Sequence, residues 1–419
     1  MSEPASSRAR FPLALQLLLA LVLGALAGRI LGPRAAPLGE IAALIIKLLK
    51  ALAGPLVFFA ILDSFARASI EPRRGLKLLA ISFMNACVAG MIALLLANVL
   101  PLGRTMGSAF GAAQGKPGTT VTPGKIVEGL VPENLLQPFL TENAISIVLL
   151  ALLFGFALRA LPQGEERALL ERFAAVAFRI FATLLGWVVR LVPLAAFFVL
   201  AKSVGTSGFA VFRGLLAFVG LVTLGLVIHA GVYYAALLHA VCGVPPWRFF
   251  PQAAESILTA FSTGSSLATL PVTLRALDKM KVSPESARLA ACVGTNLNHD
   301  GILLYEAVAV LFVSQALGRE MTLAQQLWAV VTSTLAAVGI AGVPDAGFIT
   351  LTLVLGSVGL PVEAASVLFP VDWFLGRLRA CANVTSDMVV ARLLDAGAEG
   401  PGPATELDQG SAGVQASRS

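Results

Sequence analysis

Apolar runs separated by short polar segments follow one another along most of the chain. An α-helix needs roughly 20 apolar residues to cross the hydrocarbon core of a bilayer, and several runs approach or exceed that length. They begin near Phe11, Leu38, Leu76, Ala144, Leu169, Phe212, Leu289 and Val362. The first run, from Leu13 to Ile30, lacks a small-residue cleavage pattern, so it is interpreted as the first helix and not as a signal peptide. The pattern predicts an all-α integral membrane protein.

The second half of the chain interrupts this pattern at two places. Ile257–Leu277 contains AFSTGSSLATLP (260–271), and Leu323–Leu355 contains AGVPDAG (341–347). Each place has a short apolar arm, a polar tip with a proline, and a second apolar arm. Small residues and proline also produce ordinary kinks and close helix packing. Because the unit occurs twice, each time before a polar helix, we expect two re-entrant hairpins in an internal repeat, as in many secondary transporters.

The last apolar helix carries polar and charged residues on one face. Asp372, Gly376, Arg379, Asn383 and Asp387 share a stripe of about 80° at 3.6 residues per turn. Charged side chains at bilayer depth are costly and usually face a bundle interior with a functional role. Arginine suits a carboxylate ligand, and amide and carboxylate oxygens suit Na⁺. The alternative is a structural ion pair between Arg379 and Asp372, but the stripe extends beyond any single pair.

The motif NLNHDG (296–301) places three polar residues in succession on another apolar helix. Asn298, His299 and Asp300 would point in different directions on a regular helix, so a common site requires local unwinding, which the flanking glycines permit. Unwound carbonyl oxygens together with Asp300 would form a cation site. Glu306, further along this helix, is another acid at membrane depth and a candidate proton carrier.

Composition supports the membrane assignment and excludes other classes. Hydrophobic residues make up 57% of the chain, charged residues 13%, and the mean hydropathy is +0.85, whereas a soluble domain needs a charged surface. The formal net charge is +6, and basic residues cluster before the first apolar run, at 67–77 and at 159–172; this placement indicates a cytoplasmic N-terminus. We therefore expect no nucleic-acid partner.

Scattered cysteines and the absence of HExxH and GxSxG motifs argue against an enzyme or a zinc site. The histidines His229 and His239 are interpreted as helix-face residues.

Four motifs, taken in order, resemble one known family. PLVFFAILDSF (55–65), NHDG (298–301), AGVPDAG (341–347) and the Arg379–Asn383–Asp387 stripe are similar to the dicarboxylate/amino acid:cation symporters, which include animal glutamate transporters and archaeal aspartate transporters. The resemblance covers about residues 11–395. It implies eight transmembrane helices and two re-entrant helical hairpins in an inverted repeat, a homotrimer, and elevator movement of a transport domain against a fixed scaffold.

The resemblance also implies roles for individual residues. The implied substrate contacts are Ser265 and Ser266 at the first hairpin tip, Gly342 and Val343 in a gate formed by the second hairpin, and Arg379 and Asn383 as carboxylate ligands. The implied Na⁺ ligands are Gly294, Asn298, Asn383 and Asp387 at one site, and Asn298 and Asp300 at part of another. No other cofactor is expected.

The departures from the family pattern bear on the substrate. Gly376 stands where amino-acid carriers have an aspartate that binds the substrate ammonium. A buried ammonium without an anionic partner is strongly disfavoured, so a C4-dicarboxylate is expected ahead of the alternative, glutamate or aspartate. The threonine that usually follows the substrate arginine is Ala380, and the first hairpin reads GSSLATLP where the family has three serines and a glycine.

Coupling to Na⁺, to H⁺ or to both stays open. Asn85 and Ala86 occupy positions where sodium-coupled members have hydroxyl ligands, which weakens a third cation site. His299 replaces the family's central methionine, and Glu306 occupies the position of a protonatable glutamate in animal glutamate transporters. Both are candidate proton carriers, with a neutral, hydrogen-bonded His299 as the alternative.

The resemblance divides the chain into parts with different roles. Residues 1–10 are expected to be a cytoplasmic N-terminus, and residues 11–247 to be mainly scaffold and trimerisation helices, with helices 3 and 6 joining the transport domain. Residues 248–395 are expected to form the transport core. Residues 396–419, rich in Gly, Ala, Ser and Pro, are predicted to be a disordered tail. We expect a multi-pass protein of a bacterial-type inner (plasma) membrane with both termini cytoplasmic.

The expected function is import of a small carboxylate anion coupled to cations. Moving a dianion inward against about 100 mV costs roughly 4.6 kcal/mol, which co-transported cations offset. An anion channel and a non-transporting sensor that kept the binding site are the alternatives.

Overall fold

The computed structural model describes residues 13–67, 72–106, 134–140, 144–338 and 346–396. These residues form helices and no strand, which confirms the predicted all-α class for the described part of the chain. The α-helices are α1 (Leu13–Leu31), α2 (Leu38–Arg67), α3 (Pro72–Val99), α4 (Gln137–Leu140), α5 (Ala144–Ala160), α6 (Glu165–Val189), α7 (Val192–Ser207), α8 (Ala210–Val227), α9 (Tyr234–Cys242), α10 (Pro246–Thr263), α11 (Ser266–Lys279), α12 (Pro284–Arg288), α13 (Asp300–Ala316), α14 (Leu323–Val338), α15 (Ala346–Ser357) and α16 (Ala365–Ala396).

Short segments of tighter or wider helix join several of these elements. The 3₁₀ segments are Gly32–Ala35, Leu102–Met106, Gly294–Asn296 and Val362–Ala364, and the π-helical segments are Ile228–Tyr233 and Leu289–Val293. The first π segment continues α8 into α9. The predicted terminal segments 1–10 and 396–419 lie outside the described residues, except for Ala396.

Long apolar helices and an apolar outer surface characterise the fold. Within the described residues, two helices are long and apolar enough to cross a bilayer, Arg73–Val99 and Val211–Cys242. Two bent helix pairs raise the number to as many as four if each pair is one span. Large apolar side chains are exposed on the outside, for example Ile30 at 82% and Phe83 at 69%. Such a surface fits contact with lipid better than contact with water.

Helix α13 forms the centre of the helical packing. Nearly every one of its side chains is buried, and helices α3, α8, α14 and α16 pack around it. A helix that is apolar on all sides is stable only inside a larger structure. Because α13 follows the NLNHDG motif, this packing places the motif in the interior.

The first predicted hairpin has a shorter tip than the sequence indicated. Its two arms are α10 and α11, and only Gly264 and Ser265 separate them, whereas the polar tip was predicted over residues 260–271. Gly264 ends α10 in the left-handed region at φ +66°, and Ser265 caps α11. Pro271 lies inside α11, in its second turn, where its missing N–H leaves the carbonyl of Leu267 without the usual helical donor. The predicted extent of the tip was therefore wrong.

The second predicted hairpin consists of α14 and α15. Its tip, residues 339–345, lies outside the described residues. The two arms pack against each other and both pack against α13. The arms of the first hairpin pack against α16. The two hairpins therefore border the two helices that carry the polar motifs.

Candidate functional site

The polar stripe predicted on the last helix faces the interior of the molecule. All its members lie on the single helix α16, and Asp372, Arg379, Asn383 and Asp387 are each no more than 4% exposed. Gly376 is partly exposed. Four buried polar residues on one face of a helix require partners on the facing elements, and the structure supplies them from α13 and its unwound approach.

Arg379 forms a buried bidentate ion pair with Asp372. Its Nη1 donates to Oδ1 at 2.8 Å and its Nη2 donates to Oδ2 at 3.3 Å. The guanidinium also lies over the ring of Tyr305 on α13, with Cζ 4.1 Å from the ring centroid. Carboxylate and aromatic face together hold the guanidinium plane in one orientation. Arg379 is therefore a fixed cation inside the protein.

The second hairpin covers this guanidinium with a glycine. A Cβ built on Gly347, at the start of α15, would lie 2.8 Å from Cζ of Arg379 and 2.9 Å from Nη1. Only a residue without a side chain fits there without displacing the guanidinium. The predicted gate residues Gly342 and Val343 lie just before this point and outside the described residues.

The unwinding predicted at NLNHDG is present. Helix α12, which begins at Pro284, continues through π and 3₁₀ segments and then breaks, and α13 starts at Asp300. His299 precedes it with φ −103° and ψ 48°, outside the helical region. Asn298, His299 and Asp300 are all at least 95% buried. The break buries all three side chains, but Asn298 contacts Asp387 whereas Asp300 contacts Tyr234 and Ser386.

Two of the predicted cation ligands meet across this break. The Nδ2 of Asn298 donates to Oδ1 of Asp387 at 3.4 Å, and Thr295 also hydrogen-bonds to Asp387. Asn383 accepts from the backbone N–H of Gly301 at 2.9 Å. The predicted ligand Gly294 lies in the 3₁₀ segment of the same unwound stretch. Oxygen atoms of α16 and of the unwound segment are thus brought together at one place.

Asp300 has a hydrogen-bond environment that sequence reasoning missed. Its Oδ2 accepts from the hydroxyl of Tyr234 and, at 2.7 Å, from the hydroxyl of Ser386, while Nε2 of His229 lies 3.4 Å away. His229 is fully buried, whereas the other helix-face histidine, His239, is exposed. No local sequence pattern distinguishes His229 from His239. The adjacent tyrosines at 233–234 in an apolar helix could, however, have indicated buried hydrogen bonds in this region.

The remaining predicted residues are placed on surrounding elements. The Ser265 hydroxyl accepts from the N–H of Ala268 and so caps α11, and Ser266 is partly exposed beside it. Glu306 is fully buried and accepts a hydrogen bond from the hydroxyl of Thr350 on α15. This contact joins α13 to the second arm of the second hairpin.

Comparison with known proteins shows which family this chain resembles. Residues 13–396 match the sodium:dicarboxylate symporter family. The chain is 33% identical over 292 residues to a putative sodium-dependent excitatory amino acid transporter of Caenorhabditis elegans, an alignment covering 66% of this chain and 58% of that protein. It is 34% identical over 259 residues to excitatory amino acid transporter 1 of Homo sapiens, covering 60% of this chain and 47% of the relative. It is 32% identical over 296 residues to excitatory amino acid transporter 3 of Mus musculus, covering 69% and 55%.

The matched region includes every polar motif described above. The chain spans about half the length of the curated relatives it matches. The members of this family are sodium-coupled membrane transporters of dicarboxylates and amino acids and are not enzymes. The buried arginine, the unwound NHDG segment and the match over residues 13–396 lead to one conclusion: this chain belongs to the sodium:dicarboxylate symporter family.

Proposed function

We propose that this protein is a secondary active symporter that imports an acidic amino acid, glutamate or aspartate, together with Na⁺. The observation that carries the proposal is the buried Arg379–Asp372 pair beneath the second hairpin. A carboxylate of the substrate binds Arg379, and cations bind at the oxygen cluster around Asp387. Relatives named excitatory amino acid transporters support this substrate class over the C4-dicarboxylate that the sequence favoured.

Charge balance at Arg379 supports a substrate that carries both signs of charge. Two of the five N–H groups of Arg379 bind Asp372, so an incoming carboxylate either shares the guanidinium with Asp372 or displaces Asp372 from it. A displaced Asp372 would be a buried carboxylate without a counter-charge, which is strongly disfavoured. An α-ammonium group restores the balance, because it can pair with the released carboxylate. Asp372 thus takes the role that Gly376 cannot provide one turn later on α16.

A C4-dicarboxylate is the second candidate, and Gly376 is the observation that favours it. Glycine at this position removes the anionic side chain that amino-acid carriers of the family have there, so an ammonium group would depend on Asp372 alone. A dianion would need an additional positive charge to offset the release of Asp372. The two candidates therefore differ in what they require of Asp372.

Cations make import of either anion favourable. An acidic amino acid carries one net negative charge, and moving it inward against about 100 mV costs roughly 2.3 kcal/mol before any concentration gradient. Na⁺ bound by Gly294, Asn298, Asn383 and Asp387 offsets this cost. Glu306 and His299 are the residues we propose for any proton that accompanies Na⁺.

The motif resemblance implies a mechanism in which part of the molecule moves. We propose eight transmembrane helices and two re-entrant hairpins, assembled as a homotrimer in a bacterial-type inner membrane with both termini cytoplasmic. The transport core spans residues 248–395, joined by helices 3 and 6, and the remainder of residues 11–247 forms the scaffold. The core carries the bound substrate across as an elevator, with Gly342 and Val343 in the gate and Ser265 and Ser266 facing the substrate from the first hairpin.

Uptake into proteoliposomes tests the proposed substrate and coupling. Labelled aspartate, glutamate, succinate and malate are each offered under an imposed Na⁺ gradient or an imposed pH gradient. We expect accumulation of an acidic amino acid driven by Na⁺. Accumulation of succinate or malate without aspartate or glutamate would show that the substrate is a C4-dicarboxylate. Currents without accumulation would indicate a channel, and binding without flux would indicate a sensor.

Two arginines on α16 provide a matched pair of variants. Arg379→Lys removes the bidentate fork and should lower uptake about 100-fold or more, since lysine cannot reproduce the geometry. Arg377→Lys should keep uptake within about twofold, because among the described residues the hydrogen bond and the ring contact of Arg377 are both made to Trp373 on its own helix. Asp372→Asn should weaken aspartate binding more than succinate binding. Equal effects on both ligands would argue against the role of Asp372 as ammonium partner.

A further inference from the structure

The Asp300 carboxylate is surrounded by hydrogen-bond donors from two neighbouring elements. Tyr234, at the start of α9, and Ser386, on α16, both donate to Oδ2. The two hydroxyl oxygens are themselves 2.6 Å apart, and Nε2 of His229 lies 3.0 Å from the Tyr234 oxygen. All four residues are at least 99% buried. One carboxylate oxygen is therefore enclosed by a closed group of protein donors.

Donors and cations compete for the same face of a carboxylate oxygen. A hydroxyl that donates to Oδ2 directs its hydrogen at the place where a bound Na⁺ would lie. A hard cation needs several oxygen lone pairs directed at it. At Asp300 the described neighbours instead direct hydrogens toward Oδ2, so the arrangement already satisfies its charge without an ion.

Helix α3 contributes no free oxygen at the positions expected to hold hydroxyl ligands. The Oδ1 of Asn85 accepts from the hydroxyl of Tyr233 at 2.9 Å, and Ala86 has no polar side-chain atom. The two adjacent tyrosines thus donate to different helices: Tyr233 to Asn85 on α3, and Tyr234 to Asp300 on α13. The Tyr234 hydroxyl is therefore the one of the two that occupies the carboxylate of Asp300.

We propose that Tyr234 and Ser386 are built-in replacements for a Na⁺ at Asp300. Asp300 then has a structural role, and the Na⁺ ions that this chain couples to transport bind elsewhere, among them at the Asn298–Asp387 cluster. That cluster also contains donors to Asp387, but there the Oδ1 of Asn298 is buried without a hydrogen-bond partner among the described residues, so an acceptor oxygen is available to an ion. This inference departs from the Na⁺-ligand role that the family resemblance implied for Asp300. It rests on the proposed function, and it makes Tyr234 a residue that determines cation stoichiometry.

Binding of Na⁺ by the purified protein tests this without any transport. The probe is Na⁺ alone, added to the substrate-free chain in detergent at constant ionic strength with choline as the replacing cation. The midpoint of thermal unfolding is followed against the logarithm of Na⁺ concentration, and its slope increases with the number of ions bound by the folded state. Tyr234→Phe removes the donor from Oδ2 and should steepen the slope by the contribution of one further ion, about twofold if the wild type binds one.

Tyr233→Phe is the matched control, because it removes a neighbouring hydroxyl that is bonded to Asn85 and not to Asp300. Its slope should equal that of the wild type. If Tyr234→Phe does not fold, Ser386→Ala removes the other donor and should also steepen the slope. An unchanged or shallower slope in the folded variants overturns the proposal. A protein that binds Na⁺ as described but accumulates no substrate would contradict only the proposed function.

Discussion

Gly301, at the start of α13, packs closely against α16. A Cβ at this position would lie 2.7 Å from the backbone oxygen of Arg379, 3.0 Å from Cβ of Ala382 and 3.0 Å from Oδ1 of Asn383. The first of these atoms belongs to a helix backbone and cannot rotate away. Gly301→Ala therefore forces α13 and α16 apart by several tenths of an ångström.

This separation should weaken Na⁺ binding. Overpacking of this kind costs about 1–3 kcal/mol. The Asn298–Asp387 contact spans the same two segments, so moving them apart opens the cation cluster. If all of the strain is relieved in this way, the affinity for Na⁺ falls about 5- to 150-fold. The fall is measured as a shift of the Na⁺ concentration that gives half of the maximal thermal stabilisation.

Gly220→Ala is the control, because a Cβ there would meet no atom of the described residues within 4 Å. Alanine in a helix is favoured over glycine by about 0.5–1 kcal/mol, so this variant should bind Na⁺ like the wild type and unfold at the same or a higher temperature. Gly301→Ala protein with wild-type stability and wild-type Na⁺ affinity would refute the close approach of the two helices.

Three further predictions concern contacts of the same core. Asp387→Asn should abolish most of the Na⁺-dependent rise in unfolding temperature, because an amide carries no charge for the ion; retention of the full rise would place the ion elsewhere. Thr350→Val removes the hydroxyl that donates to buried Glu306 and should lower the unfolding free energy by about 1–3 kcal/mol; a loss below about 0.5 kcal/mol would contradict that contact. Lys77→Met removes the ammonium that donates to two carbonyls in the last turns of α16 at 3.0 and 3.2 Å. It should destabilise that helix end by about 0.5–1.5 kcal/mol, visible as faster amide exchange confined to residues 391–396.

The helices and their interruptions could be predicted because they depend on local composition. An apolar run of sufficient length forms a helix in lipid wherever it occurs. The break at NLNHDG followed from consecutive polar residues between glycines, and the stripe on α16 followed from 3.6-residue periodicity. The extent of the first hairpin tip could not be predicted in the same way. Polar residues at 260–271 are compatible with both a tip and helical arms, and only the left-handed Gly264 and the cap at Ser265 decided between them.

The residues of the candidate site were partly predictable for the same reason. Arg379, Asn383 and Asp387 share one helix face, so their common direction is a property of the sequence. The sequence does not show which partner each of these side chains contacts, because Arg379 could equally have paired with a group other than Asp372. The structure shows that Tyr305 and Gly347, from two other helices, hold it against Asp372.

The sequence alone determined that this chain is a helical membrane protein with polar breaks and a buried charged stripe in its second half, since these features follow from hydrophobicity and helical period. Only the tertiary structure decided which distant side chains meet. His229 and Tyr234 precede Asp300 by 71 and 66 residues, and a π-helical segment rotates the faces of the helix that carries them. Contacts of this kind depend on how helices pack and rotate against each other, which no local pattern in the chain encodes.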